Sequence, residues 1–148
     1  LHVRSRRQRQ MCIRDRYGPG DTHCGYGPNR FVNFTLKNKK VALFGNGEEK
    51  RDHIYINDLT LIIYRCILLK AVGTINAVSG KVHSFEKIAK LTNKIFRKNN
   101  LILRLPRSGP MPHNGFRPFD NSLLKKYFKG IKITKINEGI KKYISLIK

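Results

Sequence analysis

Apolar residues fall at helical spacing over 85–96, where Phe85, Ile88, Ala89, Thr92, Ile95 and Phe96 share one face. Ser84 stands just before them, with a hydroxyl suited to cap the first turn. A second stripe, Ile140, Tyr143, Ile144 and Ile147, makes the inner face of a terminal helix. The stretch 59–69 differs. Leu59, Leu61, Ile62, Ile63, Cys66, Ile67, Leu68 and Leu69 cover nearly all sides, which predicts a helix buried in a larger body and running to about residue 70. Asn57 or Asp58 offers its N-cap oxygen.

Short apolar runs at 40–44, 53–56, 74–78 and 101–105 predict strands, and Asn46-Gly47 supplies turn chemistry between the first two. The Gly/Pro-rich stretch 17–28 is a loop, after which Asn29 caps a helix over 29–38 with Pro28 just outside it. A loop over 106–119 leads to a helix capped by Asp120 or Asn121, carrying Leu123, Leu124, Tyr127 and Phe128. The order is alternating α/β.

The length of 148 residues suits one core. No apolar run approaches the ~18 residues of a membrane span, so no membrane association is expected. Three cysteines, Cys12, Cys24 and Cys66, contain no C-x-x-C pair, which fits free thiols in a cytoplasmic protein. His53, His83 and His113 lack metal-ligand spacing, and no metal site is expected. His23-Cys24 has no orienting third group for a thiol nucleophile.

The net charge of +22 is uneven. Residues 1–16 hold six arginines against Asp15, leaving 25 basic and 8 acidic residues in 17–148. The front resembles translated sequencing-adapter sequence and is expected to be a non-native or disordered basic segment. In 17–148 the lysines are dispersed, so no specific nucleic-acid partner is expected. A basic nucleic-acid-binding module is the alternative that the charge keeps open.

Four motifs in order carry a resemblance. They are Tyr17-Gly18-Pro19-Gly20; Phe44-Gly45-Asn46-Gly47 leading to Arg51-Asp52-His53-Ile54-Tyr55-Ile56-Asn57-Asp58-Leu59; Gly73-Thr74-Ile75-Asn76-Ala77-Val78-Ser79-Gly80; and Arg107-Ser108-Gly109-Pro110 followed by Asp120. Together they resemble the later part of the extended short-chain dehydrogenase/reductases, the NAD-dependent sugar-nucleotide epimerases and dehydratases. Cys12 and Asp15 stand where that family has arginine and asparagine, so the resemblance begins at Tyr17. Neither the family's Gly-rich cofactor loop nor its Tyr-x-x-x-Lys dyad occurs in the sequence.

The resemblance implies an α/β fold: the C-terminal substrate-binding portion of an extended Rossmann-type enzyme, with 17–148 adding the last strands of the nucleotide-binding sheet. It implies a fragment that contributes sugar-nucleotide binding to an NAD-dependent epimerase or dehydratase and holds no catalytic residue itself. NAD or NADP would belong to the intact parent, expected to be a homodimer, with no tight cofactor binding by this part. The partner implied is a nucleoside-diphosphate sugar. A non-catalytic sugar-nucleotide-binding protein is a further alternative.

The same resemblance gives site residues. Arg51 and Arg107 would grip the diphosphate, as planar guanidinium groups can through paired hydrogen bonds. Their plain alternatives are a surface bridge from Arg51 to Asp52 or Asp58 and a solvated loop position for Arg107. Phe44 would lie beside the base, or simply pack a strand. Asn29 and Asn76 would bond phosphate or ribose, or serve as a helix cap and a strand-end turn. Tyr17, Gly18 and Pro19 would line the nicotinamide side.

Overall fold

The computed structural model describes residues 15–21, 27–98 and 102–147. Most of the basic front, Cys12, the His23-Cys24 pair and Leu101 lie outside the described residues. The chain runs β1 (Arg16–Tyr17), α1 (Gly27–Leu36), β2 (Val41–Phe44), β3 (Lys50–Asp52), β4 (Ile54–Tyr55) and α2 (Ile56–Leu68). It continues β5 (Val82–Ser84), α3 (Phe85–Phe96), β6 (Ile102–Leu105), β7 (Phe116–Arg117), α4 (Ser122–Tyr127) and α5 (Ile136–Ile147).

Three small sheets organise these elements. β1 pairs parallel with β4, and β2 pairs parallel with β6. β3 is the middle of a third sheet, antiparallel to β5 and parallel to β7. Asp15 and Arg16 belong to this framework, because the Asp15 carbonyl accepts from the Ile54 N–H at 3.1 Å.

The main core lies between α1, β2, α3 and α5, with Phe31, Val32, Val41, Leu43, Ile88, Ile140 and Ile144 buried together. The apolar stripes of α3 and α5 are the cause. Each places residues three and four apart on one face, and burying that face drives the packing. Ser84 caps α3 as its position predicts, its hydroxyl accepting from the Lys87 N–H at 3.2 Å. A second cluster joins Ile54, Ile62, Leu124 and Phe128.

Several local expectations are corrected. Helix α1 begins at Gly27, so Pro28 sits inside its first turn, where a missing N–H costs nothing, and Asn29 is not its cap. The run 53–56 is not one strand: β3 ends at Asp52, β4 covers Ile54–Tyr55, and Ile56 already starts α2. Residues 74–78 form no strand, as they have no ladder partner among the described residues. Within 106–119, a 3-10 turn (Pro112–Gly115) and β7 appear, the latter defined by pairing with β3 rather than by any apolar alternation.

Neither Asn57 nor Asp58 caps α2, whose N-cap is Tyr55. The Asp58 carboxylate instead accepts from Thr134, from its N–H at 2.8 Å and its hydroxyl at 2.9 Å. Asp52 acts similarly. Buried in β3, it accepts from Ser79 and from the Gly80 N–H at 2.7 Å, fixing the irregular 79–80 segment. Asn121 is the N-cap of α4 but its side chain makes no capping bond, donating instead to the Ser79 carbonyl at 3.4 Å, while Asp120 accepts from the Ser122 N–H at 2.9 Å.

The expected burial of α2 is not seen among the described residues. Ile62 and Asp58 are its buried residues, whereas Ile63, Tyr64, Ile67, Leu68 and Leu69 are exposed. Such a contiguous apolar face, beside a two-stranded parallel sheet, is unusual for a self-sufficient surface. The protein should therefore bind an apolar-sensing dye in its native state, and Ile67→Lys with Leu68→Glu should reduce the signal without lowering the melting temperature. A dye signal unchanged by the pair would place the apolar surface elsewhere.

Candidate functional site

The turn after β2 builds the first site. Gly47 has φ of +71°, in the left-handed region, and an added Cβ would lie 3.0 Å from the Glu86 backbone nitrogen. The carbonyls of Gly47 and Glu49 accept from the N–H groups of Glu86 and Phe85, locking the turn to the start of α3. Glu49 is thereby held at an open-sided pocket whose walls include Arg30, Phe31, Phe44, Phe85 and Arg107.

Two guanidinium groups meet at the Glu49 carboxylate. Arg51 donates from Nε at 2.8 Å and from Nη2 at 2.5 Å to Oε1, while Arg107 Nη1 lies 3.8 Å from Oε2. Arg51 is buried, its guanidinium 5.6 Å from the Phe85 ring centroid and 3.7 Å from an Asp15 oxygen. Its ion partners among the described residues include Glu49 and Asp15, and Asp52 is occupied by Ser79 and Gly80. Burial raises the Asp15 carboxyl above its ordinary value, with the charges of Arg51 and Arg117 opposing.

Arg107 is on the pocket wall. Its Nη2 donates to the Phe44 carbonyl at 3.3 Å, and its buried Nε–H has no acceptor among the described residues. Phe44 is 45 % exposed, so its ring is an open surface rather than core. Arg30 also reaches the wall, its guanidinium 4.9 Å from the Phe34 ring centroid. Cationic groups beside an open aromatic ring suit an anion carrying a planar group.

A second, open pocket gathers Tyr17, Gly18, Pro19 and Asn29 with Arg16, Gly20, Asp21 and Ile56. Asn29 organises it: its Oδ1 accepts from the Gly18 N–H at 3.0 Å and its Nδ2 donates to Asp21. Gly18 is required by proximity, since a Cβ there would lie 2.2 Å from Ile56 Cγ2. Tyr17 packs on Tyr55 at 5.5 Å between centroids, and burial, then the Asp58 charge, push its hydroxyl pKa up. Asn76 joins neither pocket; it is exposed and donates to the Asp120 carbonyl at 3.1 Å.

His53 lies behind these sites, 5.9 Å from the Phe85 ring centroid. Burial, then the Arg51 charge, lower its pKa from 6.5 to about 3, so it is neutral at neutral pH. An unfolded histidine takes up its proton near 6.5 and the folded one only near 3. Between those values the unfolded chain binds more protons, and stability falls as pH falls. Melting temperatures measured from pH 7 to pH 4 should drop less steeply for His53→Leu than for the wild type; equal slopes would exclude His53 as a source.

Sequence reasoning did not single out Arg30 or Glu49. The signals were present: Glu49 precedes Arg51 by two, the spacing that puts side chains on one face of a strand, and Arg30 precedes Phe34 by four on a helix. Among the described residues no group of three or more His, Cys, Asp or Glu side chains forms a metal site. None of their helices is long and apolar enough to cross a membrane.

No protein-family model matches the sequence. Solved structures do match the fold. The dTDP-glucose 4,6-dehydratase of Bacillus anthracis, in complex with NAD, aligns with TM-score 0.74 at 17 % identity over 88 % of this chain and 41 % of its own. The UDP-glucuronic acid 4-epimerase of Bacillus cereus, in complex with UDP-glucuronic acid and NAD, aligns with TM-score 0.74 at 22 % identity, over 90 % and 43 %. The fold is that of the extended short-chain dehydrogenase/reductases. The UDP-glucose 4-epimerase of Thermotoga maritima, with UDP-glucose, aligns with TM-score 0.71 at 23 % identity, over 90 % and 43 %. The chain thus spans about two-fifths of the length of these short-chain dehydrogenase/reductase structures.

Proposed function

We propose that the chain is the C-terminal, substrate-binding part of an NAD-dependent epimerase or dehydratase acting on a nucleoside-diphosphate sugar. The observation that carries this is the convergence of Arg51 and Arg107, from separate segments, on one carboxylate beside the exposed ring of Phe44. A carboxylate bound by two guanidinium groups occupies the kind of place a phosphate takes. In this reading Arg107 and Arg51 hold the diphosphate, Arg30 adds positive charge at the wall, and Phe44 lies against the base.

Asn29 supports the Tyr17-Gly18-Pro19 wall, which faces the nicotinamide of NAD or NADP in the intact enzyme. Asn76 is assigned to the ribose or phosphate in the intact enzyme, although here it is engaged with Asp120. The catalytic base and cofactor loop belong to another part of the parent enzyme, which we place in the cytoplasm as a homodimer. The exposed face of α2 fits this, as an apolar helix face that a further part of such an enzyme would cover.

The test is calorimetric titration of UDP, dTDP and GDP into the protein, with Phe44→Ala as comparison. Binding of at least one nucleotide that Phe44→Ala weakens supports the reading. Absence of binding by all three would refute it.

A further inference from the structure

Glu49 stands between the two arginines that the proposed function gives to phosphate. Its side chain is 3 % exposed yet forms part of the pocket wall. Oε1 takes both the Nε and Nη2 hydrogen bonds of Arg51, so the guanidinium edge that would bind a phosphate oxygen is already engaged. The hold on Arg107 is looser, at 3.8 Å, and the Arg107 Nε–H is buried with no acceptor among the described residues. The Glu49 backbone is fixed through its carbonyl to Phe85. Freeing the arginines therefore needs a side-chain rotation, not a movement of the turn.

We propose that Glu49 is a built-in competitor for the phosphate subsite: its carboxylate holds Arg51 and Arg107 in the unliganded chain, and a phosphate-bearing ligand binds by displacing it. The inference rests on reading this pocket as a diphosphate site. Carboxylate and phosphate offer the same paired oxygens to a guanidinium fork, so they exclude one another at the same edge. Glu49 also places a negative charge a few ångströms from the incoming phosphates, in a partly buried setting where such repulsion is weakly screened. Its function in this arrangement is twofold. It keeps buried Arg51 paired when no ligand is bound, and it restrains affinity so that the ligand can leave.

The direct experiment is titration of UDP and of inorganic pyrophosphate into the wild type and Glu49→Gln. Glutamine keeps a carbonyl oxygen for Arg51 and removes the charge, so both ligands should bind about tenfold more tightly to the variant. Wild-type binding that is not tightened by Glu49→Gln overturns the competitor role and leaves the pocket reading intact. Failure of both proteins to bind either ligand overturns both. Because Glu49 is buried, the variant can be compromised in folding, and a measurement on the wild type covers that outcome. Saturation with pyrophosphate should shift the Arg51 Nε–H resonance as its bond to Glu49 breaks, whereas an unmoved resonance at saturation sinks the proposal.

Discussion

Arg107→Ala should weaken nucleoside-diphosphate binding by about 2–3 kcal/mol, the scale of a lost charge-assisted contact, with little change in melting temperature. Arg107 contributes little to the fold. Among the described residues its closest charged partner, Glu49, lies 3.8 Å away, and its hydrogen bond is a long one to the Phe44 carbonyl. Its head group nevertheless faces the pocket. Arg107→Lys should recover only part of the affinity, because an ammonium cannot present the paired donors of a guanidinium. Calorimetry and thermal melts on the same samples check both halves. A large fall in melting temperature would recast Arg107 as a structural residue.

Arg51→Ala should behave differently, destabilising the fold by about 3–5 kcal/mol, as expected when one partner of a buried ion pair is removed. The cause is Glu49. It would remain buried, retaining only the more distant Arg107 among the described residues, and the cation over Phe85 would be lost. Arg51→Ala with Glu49→Gln should recover part of the stability, since the Glu49 charge is removed and Asp15, the other partner of Arg51, keeps Arg117 at 3.8 Å. Chemical denaturation of the three variants gives the answer. A single variant as stable as the wild type would contradict the placement of Arg51 behind Glu49.

The sequence shows some of this clearly and some not at all. Strong periodicity marks α3 and α5, and Ser84 caps α3, because local pattern and packing agree there. The two-residue strands β1, β4 and β7 carry no pattern of their own. Pairing defines them, as with Phe116–Arg117 against β3, and pairing over 66 residues is not legible locally. Asn29 shows the same limit: a cap and a loop clamp use the same side-chain oxygen, and only tertiary placement decides between them.

At the site, the arginines and Phe44 emerge from the motif resemblance, but their relation through Glu49 does not. A glutamate among charged residues looks like a solvated surface group until its burial is known. The opposite holds for α2. Its all-round apolar pattern predicts burial, yet Ile67, Leu68 and Leu69 are exposed, with nothing among the described residues packed over them.

If this chain supplies the substrate half of an NAD-dependent enzyme, as proposed, the rest of that enzyme should be encoded upstream. The most direct test is to read the source DNA in frame upstream of the Tyr17 codon. An asparagine is expected two residues before Tyr17, in place of Asp15. Further upstream, Tyr-x-x-x-Lys is expected on a helix, where the lysine's charge lowers the tyrosine pKa, with a glycine-rich strand-to-helix turn near the start. A native transcript that begins at Leu1 and encodes the basic front would contradict the proposal.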